Sequence, residues 1–145
     1  MVILIIRKYE TRDLTALCEL MHDLGYPTNE RNMEARLERM NQDSMYNTFV
    51  AEIEHNVVGM LGVRKLYTYE IDEIVIQISA LVIKKDYQGR GIGKQFIQFI
   101  EQWSKQQGIH TIVLTSGIKK EREQAHEFYK KAGFEVTGYR FVKKV

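Results

Sequence analysis

Ile74 to Ile83 is a long, mostly β-branched apolar run that leads through Gln88-Gly89-Arg90-Gly91-Ile92-Gly93-Lys94 into an amphipathic helix. A run with so little polar alternation predicts a strand covered on both faces, in the middle of a sheet. A buried strand followed at once by an amphipathic helix commits the chain to an α/β arrangement. The glycines between them remove side chains where strand turns into helix. Glycine costs conformational entropy, so such a cluster marks left-handed dihedrals or a close approach of something to the backbone. Free N–H groups at a helix start, the positive end of the helix dipole and two cations, Arg90 and Lys94, suit a phosphate. The alternative is an ordinary glycine-rich turn.

The spacing discriminates among phosphates. A Walker A loop, G-x-x-x-x-G-K-[ST], needs glycine where Gln88 stands and a hydroxyl where Gln95 stands, so magnesium would lose a ligand. The dinucleotide fingerprint G-x-G-x-x-G, started at Gly89, ends on Lys94 and fails as well. Q/R-x-x-G-x-G/A fits, as Gln88, Gly91 and Gly93. On these residues the sequence resembles the GCN5-related N-acetyltransferase (GNAT) family, whose motif A cradles the pyrophosphate of acetyl-coenzyme A.

A chain of 145 residues fits one domain, here residues 1–145, and can bury a core without staples. A net charge of +2 gives no tendency to bind polyanions, so no nucleic-acid partner is expected. The single cysteine, Cys18, excludes an internal disulfide and fits a reducing compartment; its helical neighbours make it a core-facing thiol. Met1 to Ile6 is too short for a signal peptide, and no apolar run approaches membrane length, so a soluble cytoplasmic protein is expected. Four scattered histidines and one cysteine offer no metal-ligand spacing.

Along the chain, Met1 to Ile6 reads as a first strand. Leu14, Leu17, Cys18, Met21 and Leu24 recur at helical spacing behind Asp13 as a cap. A second helix runs near Glu30 to Met40 on Met33, Leu37 and Met40. Phe49 to Ile53, His55-Asn56 and Val57 to Tyr67 read as a hairpin. Strand Ile71 to Ile83, a helix from Gly91 to near Gly108, strand Thr111 to Thr115, helix Glu121 to Ala132 closed by Gly133, and one or two strands from Phe134 to Val142 complete the order. This order implies helices on both faces of a mixed sheet. It is similar to the GNAT fold over nearly the whole chain. A second family motif, A-x-x-[FL]-Y-x-x-x-GF, is matched by Ala125 to Phe134. The resemblance implies a three-layer α/β/α domain whose central mixed, mostly antiparallel sheet is splayed between the fourth and fifth strands.

It also implies a chemistry. The pantetheine arm would pair with Leu81, Val82 and Ile83, as an added strand does. A backbone N–H near Val82 would polarise the thioester carbonyl. The pyrophosphate would lie on N–H groups of Gln88, Gly89, Arg90, Gly91, Ile92, Gly93 and Lys94. Tyr129, at the motif's tyrosine, would contact the coenzyme and act as general acid, since a phenol stays protonated at neutral pH. Some family members carry a glutamate base on the central strand; that place holds Gln77, which takes no proton. Glu73, with Asp72, is the remaining candidate base, and Ser79, sharing a face with Gln77, would orient a water. Arg122 replaces an asparagine common in the family.

The expected function is transfer of acetyl from acetyl-coenzyme A to the primary amine of a small molecule by direct attack, with no metal. Protein N-terminal or lysine acetylation is the alternative within the same chemistry, and a non-catalytic acyl-coenzyme A sensor the alternative from another class. The acceptor would be bound by Gly25 to Met40, the Tyr67 to Asp72 turn and the last strand. Phe134 to Val145 would offer an edge for a homodimer.

Overall fold

Antiparallel hairpins with runs of consecutive buried residues in their central strands set up the sheet of this computed structural model, which describes residues 2–145. Two units are distinguished, one ending at Val113 and one spanning Leu114–Val145. In the first, β1 (Leu4–Lys8), β2 (Tyr46–Ile53), β3 (Asn56–Leu66) and β4 (Val75–Ile83) pair antiparallel in sequence order. β5 (Ile112–Leu114) stands next to β4 in the sheet. It is reached through a helix, α3 (Ile92–Gln106), the connection that parallel neighbours require, so the sheet is mixed.

Successive side chains of a strand point to opposite faces, and each face has its own cover. Helices α1 (Leu14–Leu24) and α2 (Glu30–Asn41) lie on one. Their Leu17, Leu20, Met33 and Leu37 form one buried cluster with Val50, Met60 and Val82. Burying side chains of this kind contributes about 1.5–3 kcal/mol each. The other face takes α3. There Phe49 meets Phe99 and Trp103 edge to face, at 4.9 and 5.6 Å between ring centroids. Phe96, fully buried, packs over Gly59. Three layers result, as expected.

β1 covers Leu4–Lys8 rather than Met1 to Ile6, of which Met1 lies outside the described residues, and β2 starts at Tyr46 rather than Phe49; four further departures from the sequence reading each have a physical reason. The hairpin turn is Glu54-His55, not His55-Asn56, because Asn56 pairs with Ile53; Glu54 and His55 have φ of 49° and 67°. β4 starts at Val75, not Ile71, because its pairing with β3 ends at Leu66 opposite Val75, and Ile71 is left exposed. Asp13 makes no side-chain cap to α1. Its buried carboxylate accepts both terminal nitrogens of Arg7 at 2.8 Å and the Glu10 N–H at 2.8 Å. Burial alone would raise the Asp13 carboxyl, but Arg7 and the Glu10 N–H outweigh it and hold it below the usual range. No strand forms from Phe134 to Val142. Val136, Tyr139 and Phe141 are exposed there, and β-propensity acts only where a neighbouring strand supplies a partner.

The second unit carries α4 (Glu123–Lys131), entered by a 3-10 turn at Lys120–Arg122. Gly133, with φ of 100°, closes it as expected.

Candidate functional site

The cradle is built by the segment that joins β4 to α3. Gly89 and Gly91 both adopt left-handed φ, 77° and 82°, and Gly91 is the N-cap of α3. A Cβ built at either would meet nothing within 4 Å. The glycines are therefore required by dihedral angle, and the space beside them is open. The first helical bond of α3 is Gln95 N–H to Gly91 O, at 3.0 Å. Among the described residues, no backbone N–H from Gly89 to Lys94 donates to a protein acceptor outside the helix. Six consecutive donors at the positive end of a helix are the arrangement an anion calls for. Arg90 adds charge and is held in place, its guanidinium 4.8 Å from the centroid of the Tyr87 ring. Gln88 does not face the cradle as a donor. Its side-chain amide donates to Ile83 O at 3.0 Å, tying the loop to the end of β4.

The neighbouring edge of β4 is open for a second reason. β5 has three residues against nine in β4. Their pairing is anchored at the start, where Ile76 N–H donates to Thr111 O at 2.9 Å. Running parallel from that anchor, β5 ends before β4 does. Beyond it, the direction of each peptide decides what is free. Lys84 N–H donates to Val58 O of β3 at 2.8 Å. Alternation along an antiparallel pair then turns Val82 toward β3 and Leu81 and Ile83 toward the open edge. The free N–H near Val82 therefore belongs to Leu81 or Ile83, with Val82 itself in the ladder and its side chain in the core.

The rest of β4 shows why face assignments by simple alternation fail here. Gly62 pairs with Ala80, but Val63 pairs with Ile78. Ser79 is the extra residue of a β-bulge, and it is exposed. The bulge shifts the alternation between Gln77 and Ala80. Gln77 lies on the side of Ala80, Val82 and Met60, the side of α1 and α2. Its Oε1 accepts from Arg64 Nε at 2.5 Å. Nothing in the sequence signalled this pair, because it joins strands thirteen residues apart across the sheet.

Glu73 and Asp72 are exposed and precede β4. They stand, with the Tyr67 to Asp72 turn, at the end of β4 opposite the glycine loop. From Val75 to Val82 the strand covers about 23 Å, so Glu73 does not touch the open edge.

In the second unit, the spacing of the downstream motif has a structural explanation. Gly133 N–H donates to Lys130 O at 3.1 Å and Phe134 N–H to Tyr129 O at 3.0 Å. This is a Schellman closure, and its hydrophobic contact is the Tyr129 ring against Phe134, at 5.9 Å. Tyr-x-x-x-Gly-Phe is thus the pattern that fixes the tyrosine at the third position from the helix end. Burial pushes the Tyr129 phenol up, countered in part by the charge of Arg122. His126 Nε2 lies 2.8 Å from Gly117 O and holds the approach to α4. Among the described residues no group of histidines, cysteines and carboxylates is placed to hold a metal ion, and no helix is long and apolar enough to cross a membrane.

Comparison with known proteins agrees with this geometry. The sequence profile described as acetyltransferase (GNAT) family matches residues 12–134. Aminoalkylphosphonate N-acetyltransferase of Salmonella typhimurium is 27% identical over 128 residues, 88% of this chain and 79% of that protein. Human N-acetyltransferase 8B is 32% identical over 94 residues, 64% of this chain but only 40% of the relative. The crystal structure of a GNAT family acetyltransferase from Staphylococcus aureus superimposes with a TM-score of 0.83 at 28% identity, covering 98% of both chains.

Proposed function

The chain belongs to the acetyltransferase (GNAT) family and is an acetyl-coenzyme A-dependent N-acetyltransferase; from that premise we propose that it acetylates the primary amine of a small molecule by direct attack on the thioester. The observation that carries the donor side is the row of six free N–H groups from Gly89 to Lys94 beside an open edge of β4. A relative named for aminoalkylphosphonates, matched over 88% of this chain, supports a small acceptor. The half-buried Cys18 supports a reducing compartment, and we place the reaction in the cytoplasm.

In this reading Gly89, Arg90, Gly91, Ile92, Gly93 and Lys94 hold the pyrophosphate, and Gln88 holds the loop. Leu81 and Ile83 bond the pantetheine arm along the open edge, as strand addition does. The Leu81 N–H stabilises charge developing on the thioester oxygen. The amine nitrogen bonds to the carbonyl carbon, the carbon–sulfur bond breaks, and the thiolate takes a proton from Tyr129. A raised phenol is protonated at neutral pH and suits this role. The proton lost by the amine leaves to water; Glu73, the carboxylate offered as base, stands at the far end of β4 and could receive it only from there.

Thiol release from acetyl-coenzyme A with a panel of small amines tests the reading; turnover of none of them by protein that binds the coenzyme would refute it. Tyr129→Phe keeps the ring against Phe134 and removes only the proton, so kcat should fall about 100-fold. Turnover equal to the parent's would remove Tyr129 as the acid. For Glu73→Gln, an unshifted pH profile of kcat/KM would remove Glu73 as the base.

A further inference from the structure

One cation on the face of α1 and α2 has no charge partner. Arg64 is half-buried on β3, opposite Gln77 on β4 and Tyr46 on β2. Its Nε donates to the Gln77 amide oxygen, and its two terminal nitrogens bond to no protein group. The ion pairs among the described residues involve Arg7, Arg12 and Lys130, never Arg64. Arg64 is only half-buried, and its terminal nitrogens are not sealed from solvent, so a ligand can reach them. Here its fork is aimed by a neutral amide, which fixes its orientation and leaves its charge available.

The bulge at Ser79 makes this pair relevant to the acceptor. It brings Gln77, and Arg64 across from it, onto the same side of the sheet as Ala80 and Val82. The coenzyme is taken up where α3 begins, on the other face. In this arrangement an amine attacking at the edge of Leu81 approaches from the side of α1 and α2. Gln77 to Leu81 is about 13 Å of strand, the reach of a short chain between amine and anion.

We propose that Arg64 binds an oxyanion carried by the acceptor, a carboxylate, phosphate or phosphonate separated from the amine by a short chain, with Gln77 as the positioning residue. The substrate class is then an ω-amino acid or its phospho analogue. This rests on the acetyl-transfer reading above and narrows its acceptor.

The test is a graded series of ω-amino carboxylates and ω-aminoalkylphosphonates, each set against the neutral alkylamine of the same length. In the parent protein the anionic members should have KM about 10- to 100-fold lower, the worth of one charge-assisted contact. Arg64→Gln should raise KM for the anionic series by that factor and leave kcat, the KM of the neutral amines and that of acetyl-coenzyme A unchanged. Arg64→Lys keeps the charge without the fork and should fall between. An alkylphosphonate without an amine should inhibit the parent competitively against the amine and not against acetyl-coenzyme A, a result that needs no variant to fold. Equal KM for charged and neutral amines in the parent would overturn the inference while leaving acetyl transfer intact. So would an Arg64→Gln variant that lost both series alike, since that marks a structural role. If no amine of either series is turned over by protein that binds the coenzyme, the acetyl-transfer reading fails first and this inference with it.

Discussion

Two glycines show how differently one residue type serves this chain. Gly91 sits at φ of 82° with nothing within 4 Å of a built Cβ. Gly59 has no left-handed φ, but its Cβ would stand 2.9 Å from Phe96 Cε2 and 3.1 Å from Val82 O. Phe96 is fully buried and Val82 O belongs to the sheet, so neither can retreat. Gly59→Ala should therefore behave as overpacking and lower stability by about 1–3 kcal/mol. Gly91→Ala should cost about 1–2 kcal/mol, through dihedral strain alone. Urea unfolding measures both, and a Gly59→Ala midpoint equal to the parent's would show that β3 and α3 are not in such close contact. Gly91 was legible in the sequence because its neighbours repeat a known spacing. Gly59 was not, because the approach that demands it joins a strand to a helix distant along the chain. The same holds for Gln77, whose partner Arg64 became visible only once the strands were paired.

At the scale of elements, helices were read well because a period near four residues is written into each segment by itself. The strands were read less well, since a strand's limits depend on a neighbour. β4 stops being a strand where β3 stops pairing with it at Leu66, and nothing in Ile71 to Ile74 records that. The bulge at Ser79 is equally silent, and it puts Gln77 on the side of Ala80 and Val82. The β2–β3 turn offers a direct test of element logic. Two-residue turns with both φ positive favour Asn-Gly, yet this one uses Glu54 and His55, at 49° and 67°. Relief of left-handed strain at two positions predicts that Glu54→Asn with His55→Gly raises stability by about 1–2 kcal/mol. The exposed turn makes no core contact, so coenzyme affinity should not change. A lower urea midpoint for the double variant would contradict the turn geometry.

For the whole molecule, the resemblance of two motifs in order carried the family and the layer order, and the structure added which backbone groups are free. All the free groups of the cradle, from Leu81 to Lys94, lie in the unit that ends at Val113, and they hang on the sheet that forms its core. The loop geometry exists only when β4 is paired and α3 is docked, so under the proposed function the coenzyme would bind the folded chain and not the unfolded one. By mass action, acetyl-coenzyme A at 100 times its Kd should then add about 2.7 kcal/mol to stability. Gly91→Asp places a carboxylate beside the free N–H groups, where it repels a pyrophosphate and fills the approach to the backbone. The parent's unfolding midpoint should rise with added coenzyme, Tyr129→Phe should rise as far, and Gly91→Asp should stay where it is, though folded. Strain at Gly91 lowers the starting midpoint of that variant but cannot cancel a ligand-dependent rise, so the difference between midpoints with and without coenzyme isolates binding. An equal rise in Gly91→Asp would move the coenzyme off the glycine loop.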